Sequence, residues 1–413
     1  MDRKDLPLSG WGLVLVAALA MGTAGVYQFV WSSIRLPVGA RLGVAEPALG
    51  TVFTLFVVFQ TLGQFPAGWV RDRYGPRLPL LVGAAFMAAG FALVAVADSL
   101  LFVYAAYAVG GIGVSSTYTV AVNTAVKWFD ARRGLASGIV TMAYSGISFL
   151  LIPLVRGRID AAFQLTLIGL AVLAGAASLL AAVVLRDPDI GGSGDADSDD
   201  ATAETVDRRA WGWRESVRTW QFWLLYLVFV LVNGVGLMLI GKVVSFAAAL
   251  SFPAGIATAS ASLVALADAG GVLIGGSLSD RLGRRRTVAG SLVCCGLALA
   301  AAVLVGQRGS PLGFLACIGA AALFRSPPFS VFPAIVGEFY GERFSSENYA
   351  ALYTGKLFGG VFGGTVASAL VVSLGWSESF LLGAGAATVA GLLMLLLRPV
   401  EQETAAATAS TPS

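Results

Sequence analysis

The 413-residue chain contains no histidine, three cysteines and only 12% charged residues, against 57% hydrophobic residues and 51 glycines. Each scarcity excludes something. Without histidine, any proton-coupled step near neutral pH falls to a carboxylate, a tyrosine or a perturbed lysine. Cys294, Cys295 and Cys317 all lie in apolar stretches, so they read as small buried hydrophobes and indicate neither a disulfide framework nor a metal site. An integral-membrane enzyme would need a nucleophile with its base, or a metal cluster, and neither is offered. No Walker sequence or other phosphate-binding loop occurs, which argues against direct coupling to ATP. No cofactor is expected. The charged fraction is about half the roughly 25% of soluble domains, and with a mean hydropathy of +0.81 the chain reads as a membrane protein.

Apolar runs of about twenty residues, each long enough to cross a hydrocarbon core of about 30 Å, recur along the chain. They predict spans near residues 9 to 31, 47 to 69, 78 to 97, 100 to 126, 134 to 155 and 162 to 185, and then near 220 to 246, 256 to 278, 287 to 306, 311 to 336, 349 to 373 and 376 to 397. The expected fold is therefore all-α and membrane-embedded, with twelve transmembrane helices in two six-helix bundles. Residues 1–189 form the first bundle, 190–219 a linker, 220–398 the second bundle and 399–413 a disordered tail. The first run, which begins near Leu8, is long for a signal peptide, and no small-residue cleavage site is followed by a soluble mature sequence, so it reads as a span.

Basic residues give the orientation. Of 27 Lys and Arg, five (Arg35, Arg41, Arg156, Arg158 and Arg308) fall in connections on one side, three (Lys242, Arg325 and Lys356) fall within spans, and the other 19 share the side of both termini. That side is expected to be the cytoplasm, and the location the plasma membrane. The linker "RDPDIGGSGDADSDDATAETVDRRAWGWRESVRTW" passes from acidic and Gly/Ser-rich to basic and Trp-bearing. Its first part reads as a disordered tether. Its second part reads as an amphipathic helix on the membrane face, with Trp211, Trp213 and Trp220 at the interface.

"GWVRDRYGPR", residues 68 to 77, aligns without a gap on "GSLSDRLGRR", residues 276 to 285, so that Gly68, Asp72, Arg73, Gly75 and Arg77 correspond to Gly276, Asp280, Arg281, Gly283 and Arg285 at an offset of 208. An internal duplication is the economical explanation. The glycines permit tight turning and close approach of helices, the aspartate can cap a neighbouring helix, and the arginines hold the loop on the cytoplasmic side. The pattern resembles the loop signature of the major facilitator superfamily. That resemblance implies two six-span bundles rocking about a midplane site, with these ten residues as a conformational latch between the halves.

Three further stretches resemble the oxalate/formate antiporter family and, more distantly, the monocarboxylate transporters: "GVYQFVWSSIRLPV" around the first span, "KWFDARRGLASGI" from Lys127 and "NYAALYTGKLFGG" from Asn348. In the antiporter family a lysine of the eleventh span is implicated in binding the substrate carboxylate, and Lys356 matches it. The residue itself supports the same expectation. A lysine near a helix centre costs about 2.5 to 3.5 kcal/mol on insertion scales, so it faces a wet cavity, a partner or a ligand. A structural ion pair and snorkelling to the interface are the competing readings. Glycines 355, 359 and 363, and 360 and 364, supply small-residue spacing for close packing. The resemblance also has a departure. The arginine those families carry eight residues before the signature aspartate is Val272 here, while Asp268 resembles the acidic partner of the monocarboxylate transporters' eighth span. Arg325, just before the helix-interrupting Pro327 and Pro328, is the replacement candidate. It is expected either to pair with Asp268 or to lose it to a proton during transport. Lys242 reads as an anchor snorkelling from the outer end of the seventh span, with a ligand role as the alternative. Asn233, at mid-depth, suits either a neighbouring helix or a substrate. Tyr27, Gln28, Trp31, Gln60, Tyr118 and Tyr144 are the polar-tipped side chains available to line the cavity from the first half.

The expected function is secondary active transport of a small mono- or dicarboxylate by alternating access, through exchange or proton symport. The expected partners are that carboxylate, the lipid bilayer and, for symport, protons; nucleic acid is not expected, and neither is oligomerisation beyond a monomer. An exporter of drugs or other metabolites on the same fold is the alternative, although the fifth span "GLASGIVTMAYSGISFLLIPL" carries no strong exporter-type Gly-Pro motif. A transporter-fold sensor is disfavoured because the linker has no recognisable output domain.

Overall fold

The computed structural model describes residues 10–127, 133–186, 211–341 and 345–398. Among them there is no strand, and twelve helices are long and apolar enough to cross a membrane. Spans 1 to 6 are Gly10–Phe29, Glu46–Tyr74, Arg77–Val96, Leu100–Lys127, Arg133–Arg158 and Phe163–Val184. Spans 7 to 9 are Trp220–Ala249, Ala254–Leu282 and Arg284–Gln307, and span 12 is Trp376–Leu396. Most of the linker and the tail at 399–413 lie outside the described residues, as do residues 128–132 of the second resembling stretch.

Spans 10 and 11 are broken, each for a local reason. Pro327 and Pro328 cannot donate to the preceding turn, so span 10 splits into Pro311–Arg325 and Pro327–Tyr340. Span 11 runs through Ser345–Tyr353 and Gly355–Val361, widens into a π-turn over Phe362–Val366 where glycines loosen the backbone, and resumes over Ala367–Leu374. A π-turn inside a helix frequently marks a functional position.

The duplication is visible in the packing. In the first half, spans 2 and 4, 3 and 4, 3 and 6, and 1 and 5 are the main neighbours. In the second half these become 8 and 10, 9 and 10, 9 and 12, and 7 and 11, each number raised by six. Gly75 and Gly283 end spans 2 and 8 at φ values of 78° and 86°, a region that costs other residues strain. Gly68 and Gly276 do not serve the expected close approach, since an added Cβ would meet nothing nearer than 3.7 Å and 3.9 Å respectively. The halves meet through spans 2 and 11, through spans 5 and 8, and through a helix the sequence reading missed, Trp31–Leu42, which continues span 1 after a bend at Val30 and packs on span 7. Arg35 belongs to this helix and is fully buried, so its assignment to a connecting loop is corrected.

The expected amphipathic helix of the linker is a single turn, Trp213–Ser216. Trp211 docks on the protein. Its backbone N–H donates to the Tyr340 carbonyl and its own carbonyl accepts from Asn348 Nδ2, both at 2.8 Å.

Candidate functional site

The glycines of span 11 form two rows with different partners. Gly359 and Gly363 lie against Asn233 and Leu237 of span 7, within the same half, whereas Gly360 and Gly364 lie against Val57 and Thr54 of span 2, in the other half. Lys356 is one helical turn before Gly360 and shares the second row, which directs its side chain at span 2. Only 5% exposed, its Nζ donates to Gln60 Oε1 at 3.1 Å and lies 3.5 Å from the Tyr353 hydroxyl. From Gln60 the network continues into the first half. Gln60 Nε2 donates to the Tyr144 hydroxyl at 2.8 Å, and that hydroxyl donates to Gln28 Oε1 at 3.1 Å. The ring of Tyr118 meets that of Tyr144 edge-on, with centroids 5.5 Å apart. Lys356, Gln60, Tyr144, Gln28 and Tyr118 are thus brought together.

The other candidates are placed elsewhere. Tyr27 donates its hydroxyl to the Met87 carbonyl and stacks on Phe91, inside the first bundle. Trp31 stacks on Phe53 and meets Tyr107 edge-on. Asn233 donates to the Phe229 carbonyl at 2.9 Å and faces Gly359, so it serves the packing of spans 7 and 11. Lys242 is 2% exposed and does not snorkel. Its Nζ donates to Glu46 Oε1 at 3.2 Å and to Ser368, because Glu46 at the start of span 2 also pairs with Arg35 and draws both cations inward.

Arg325 and Asp268 form an ion pair between the two parts of span 10 and the middle of span 8, and Ser326 donates to the same carboxylate oxygen. The space for the guanidinium comes from span 7, where a Cβ on Gly236 would fall 2.2 Å from Arg325 Nη1. The guanidinium lies over the Phe329 ring at 5.2 Å. Phe329 contacts Phe229, Phe229 contacts Tyr353, and Lys356 lies 5.6 Å from the Tyr353 ring centre, so the pair and the lysine share one aromatic wall.

Among the described residues, polar contacts of Tyr353 with Gln64 and Tyr118 join the halves just on the signature side of Lys356, and the other hydrogen bonds joining them lie between the level of Lys356 and the side remote from the signature loops. They are Lys356 to Gln60, Thr54 to Gly360 and Thr365, Thr51 to Thr365, Arg156 to Thr258, and the Arg35, Glu46, Lys242 and Ser368 cluster. On the signature side, a cleft of about 840 Å³ opens between spans 2 and 11, lined by Gln64, Tyr118, Trp223, Tyr226 and Tyr353 among others. The recorded partners of the signature arginines are in their own halves: Arg285 donates to the Leu397 carbonyl at 2.6 Å, Arg284 pairs with Glu338, and Arg73 covers the Trp69 ring. Arg77, Asp280 and Arg281 are exposed, and the side chain of Asp72 lies outside the described residues. Arg35, Glu46, Ser368, Thr54 and Thr365 escaped the sequence reading. The one usable signal was Lys242, an in-span cation that needs a carboxylate.

Two equivalent six-span bundles that meet around a buried polar network, with a cleft opening on the signature side, have the architecture of an alternating-access secondary transporter. A family model described as Major Facilitator Superfamily matches residues 12–260 and again 232–413, and the chain belongs to that superfamily. It is 30% identical over 395 residues to the oxalate:formate antiporter of Oxalobacter formigenes, covering 94% of this chain and 91% of that one. It is 25% identical over 201 residues to monocarboxylate transporter 13 of Bos taurus, covering 46% and 47%. The solved structure of a D-xylose-proton symporter shares the fold, with a TM-score of 0.72 at 14% identity over 94% of this chain and 97% of that one.

Proposed function

We propose that this transporter carries a small organic anion, a mono- or dicarboxylate, by alternating access, with both termini in the cytoplasm and Lys356 as the anion's anchor. One contrast carries the reading. Apart from Arg71, buried at the signature-loop end of span 2, the buried basic residues among those described are Arg35, Lys242, Arg325 and Lys356; Arg35 and Lys242 share Glu46 and Arg325 has Asp268, whereas Lys356 has no ion pair and is held only by Gln60 and Tyr353. A buried cation without a counter-charge is costly, and a bound carboxylate would supply the missing charge. Gln60 and Tyr144 stand beside it with amide and hydroxyl groups able to orient a second oxygen. The named relatives support the substrate class, being an oxalate:formate antiporter and a monocarboxylate transporter. The signature loops carry the larger share of basic residues, which supports a cytoplasmic placement of the cleft.

The test is uptake of labelled formate, oxalate, lactate and pyruvate into proteoliposomes, with and without a proton gradient, for the wild type and Lys356→Gln. Accumulation of at least one acid, abolished by the substitution, is expected, and its gradient dependence separates symport from exchange. No accumulation, or an unimpaired variant, would leave Lys356 a structural residue and favour an exporter of other metabolites.

A further inference from the structure

Resting on Lys356 as the anchor, we infer that the Arg325 and Asp268 ion pair fixes the charge of the site at one positive unit, and thereby selects monoanions over dianions.

The argument begins with the charges at mid-depth. Among the described residues of the twelve spans, Asp268 is the one carboxylate near a span centre, and Arg325 and Lys356 are the two cations there. Asp268 is spent on Arg325: the carboxylate accepts from the guanidinium and, through the same oxygen, from Ser326. The pair is built in. Gly236 leaves the guanidinium its place, and span 8 closes tightly on the break in span 10, since a Cβ on Gly271 would fall 2.2 Å from the Leu323 carbonyl oxygen and one on Gly275 2.5 Å from Pro327. Arg325 is 4% exposed and Asp268 9%, so water does not screen them as it would at a surface.

An ion pair at this depth adds direction without net charge. Arg325 Nε has no recorded hydrogen-bond partner, so the guanidinium retains a donor while its charge is cancelled. The remaining net charge belongs to Lys356. A monoanion at Lys356 leaves the chamber neutral. A dianion leaves one uncompensated negative charge in a buried, aromatic-walled site, and such a charge is expensive. Arg325 and Lys356 lie on the same aromatic wall of Phe329, Phe229 and Tyr353, so releasing Arg325 from Asp268 would turn a one-cation site into a two-cation site.

Oxamate and oxalate are the suitable probes, because they have nearly the same skeleton and differ by one charge at pH 7. Each is measured as a competitor of the labelled acid that the wild type accumulates, or by direct calorimetry on purified protein. The wild type is expected to bind oxamate about tenfold or more tightly than oxalate, the size of an effect that one poorly screened charge produces. In Asp268→Asn the preference is expected to shift towards oxalate by at least the same factor, as a gain of dianion binding. Asp268→Asn with Arg325→Gln, which replaces a neutral pair by neutral amides, is expected to keep the wild-type preference; it also stands in should the single variant misfold. A wild type that binds oxalate as tightly as oxamate, or an Asp268→Asn variant with an unchanged ratio, overturns the inference while leaving the anchor in place. Retention of both anions by Lys356→Gln removes the anchor itself, and the inference with it.

Discussion

The two glycine rows of span 11 answer differently to the same substitution. Gly360 and Gly364 touch the other half, so an added methyl penalises only the conformation in which spans 2 and 11 are closed. A Cβ on Gly364 would lie 2.1 Å from Thr54 Oγ1 and 2.7 Å from the Gly50 carbonyl oxygen, and one on Gly360 2.6 Å from Val57 Cγ1. Gly364 faces backbone as well as side chain, and the helices must part to admit the methyl. Overpacking of this kind costs about 1–3 kcal/mol. Parting the helices also loosens the bonds of Thr54 to the Gly360 carbonyl, 3.1 Å, and from the Thr365 N–H, 3.0 Å, each worth about 0.5–1.5 kcal/mol. Together the closed conformation loses roughly 2–6 kcal/mol, which at 1.4 kcal/mol per factor of ten moves the equilibrium about 30- to 20,000-fold towards opening. The open conformation loses nothing and gains from alanine's better helix propensity, about 1 kcal/mol.

Pulsed EPR distances between spin labels at Ala45→Cys and Leu374→Cys, both exposed at the ends of spans 2 and 11 remote from the signature loops, would read this shift once the three native cysteines are replaced. Gly364→Ala is expected to lengthen the distance and leave the thermal midpoint nearly unchanged. Gly363→Ala, whose Cβ would lie 2.7 Å from Leu237 Cβ within its own half, is expected to lower the midpoint and leave the distance alone. If both variants lower the midpoint equally and neither changes the distance, the division of span 11 into a moving face and a fixed face is wrong.

Three further outcomes are expected. Glu46→Gln strips the carboxylate from two buried cations, a change worth about 3–5 kcal/mol when a buried pair is broken; the same label pair should report opening, and Lys242→Met added to it should restore part of the closure. Gln60→Glu places a carboxylate about where Oε1 now lies 3.1 Å from Lys356 Nζ and mimics the bound anion, so uptake should be lost with the thermal midpoint kept or raised; unchanged uptake would mean that Lys356 does not hold the anion. Gly283→Ala should cost about 1–3 kcal/mol for its backbone conformation, seen as a lower thermal midpoint, whereas Gly276→Ala, with only Ser330 near and at 3.9 Å, should change little.

Features that rest on chain-local physics were legible in the sequence. Twelve apolar runs, the break before Pro327 and the glycine spacing each follow from a few neighbouring residues, and the structure has all of them. Facing was not legible. Span 1 is apolar on every side because lipid and protein are equally greasy neighbours, so nothing distinguished Gln28, which reaches Tyr144, from Tyr27 and Trp31, which turn into the first bundle. Partners far apart in sequence were not legible either. Arg35, Glu46 and Lys242 are separated by up to 207 positions, and each alone resembles an ordinary residue near a span end. The helix Trp31–Leu42 was hidden by Pro37 and two serines, which read as a loop when the burial that sustains them is unknown.

The arrangement of charges suggests how a substrate could move this fold. A ligand shifts a conformational equilibrium only by binding one state better than the other. The cluster of Arg35, Glu46, Lys242 and Ser368 is satisfied internally, so it biases the resting protein towards closure on that side irrespective of substrate. The contact of Lys356 with Gln60 differs in kind, because it joins the halves and also occupies the nitrogen that the anion would take. Under the proposed anchoring, an anion arriving at Lys356 would exchange one cross-half hydrogen bond for a ligand within reach of Gln60 and Tyr144 in the other half. On that proposal, substrate binding and the Lys356 to Gln60 contact between the bundles would be one equilibrium, and an empty carrier and a loaded one would differ in how strongly the halves are held at mid-depth.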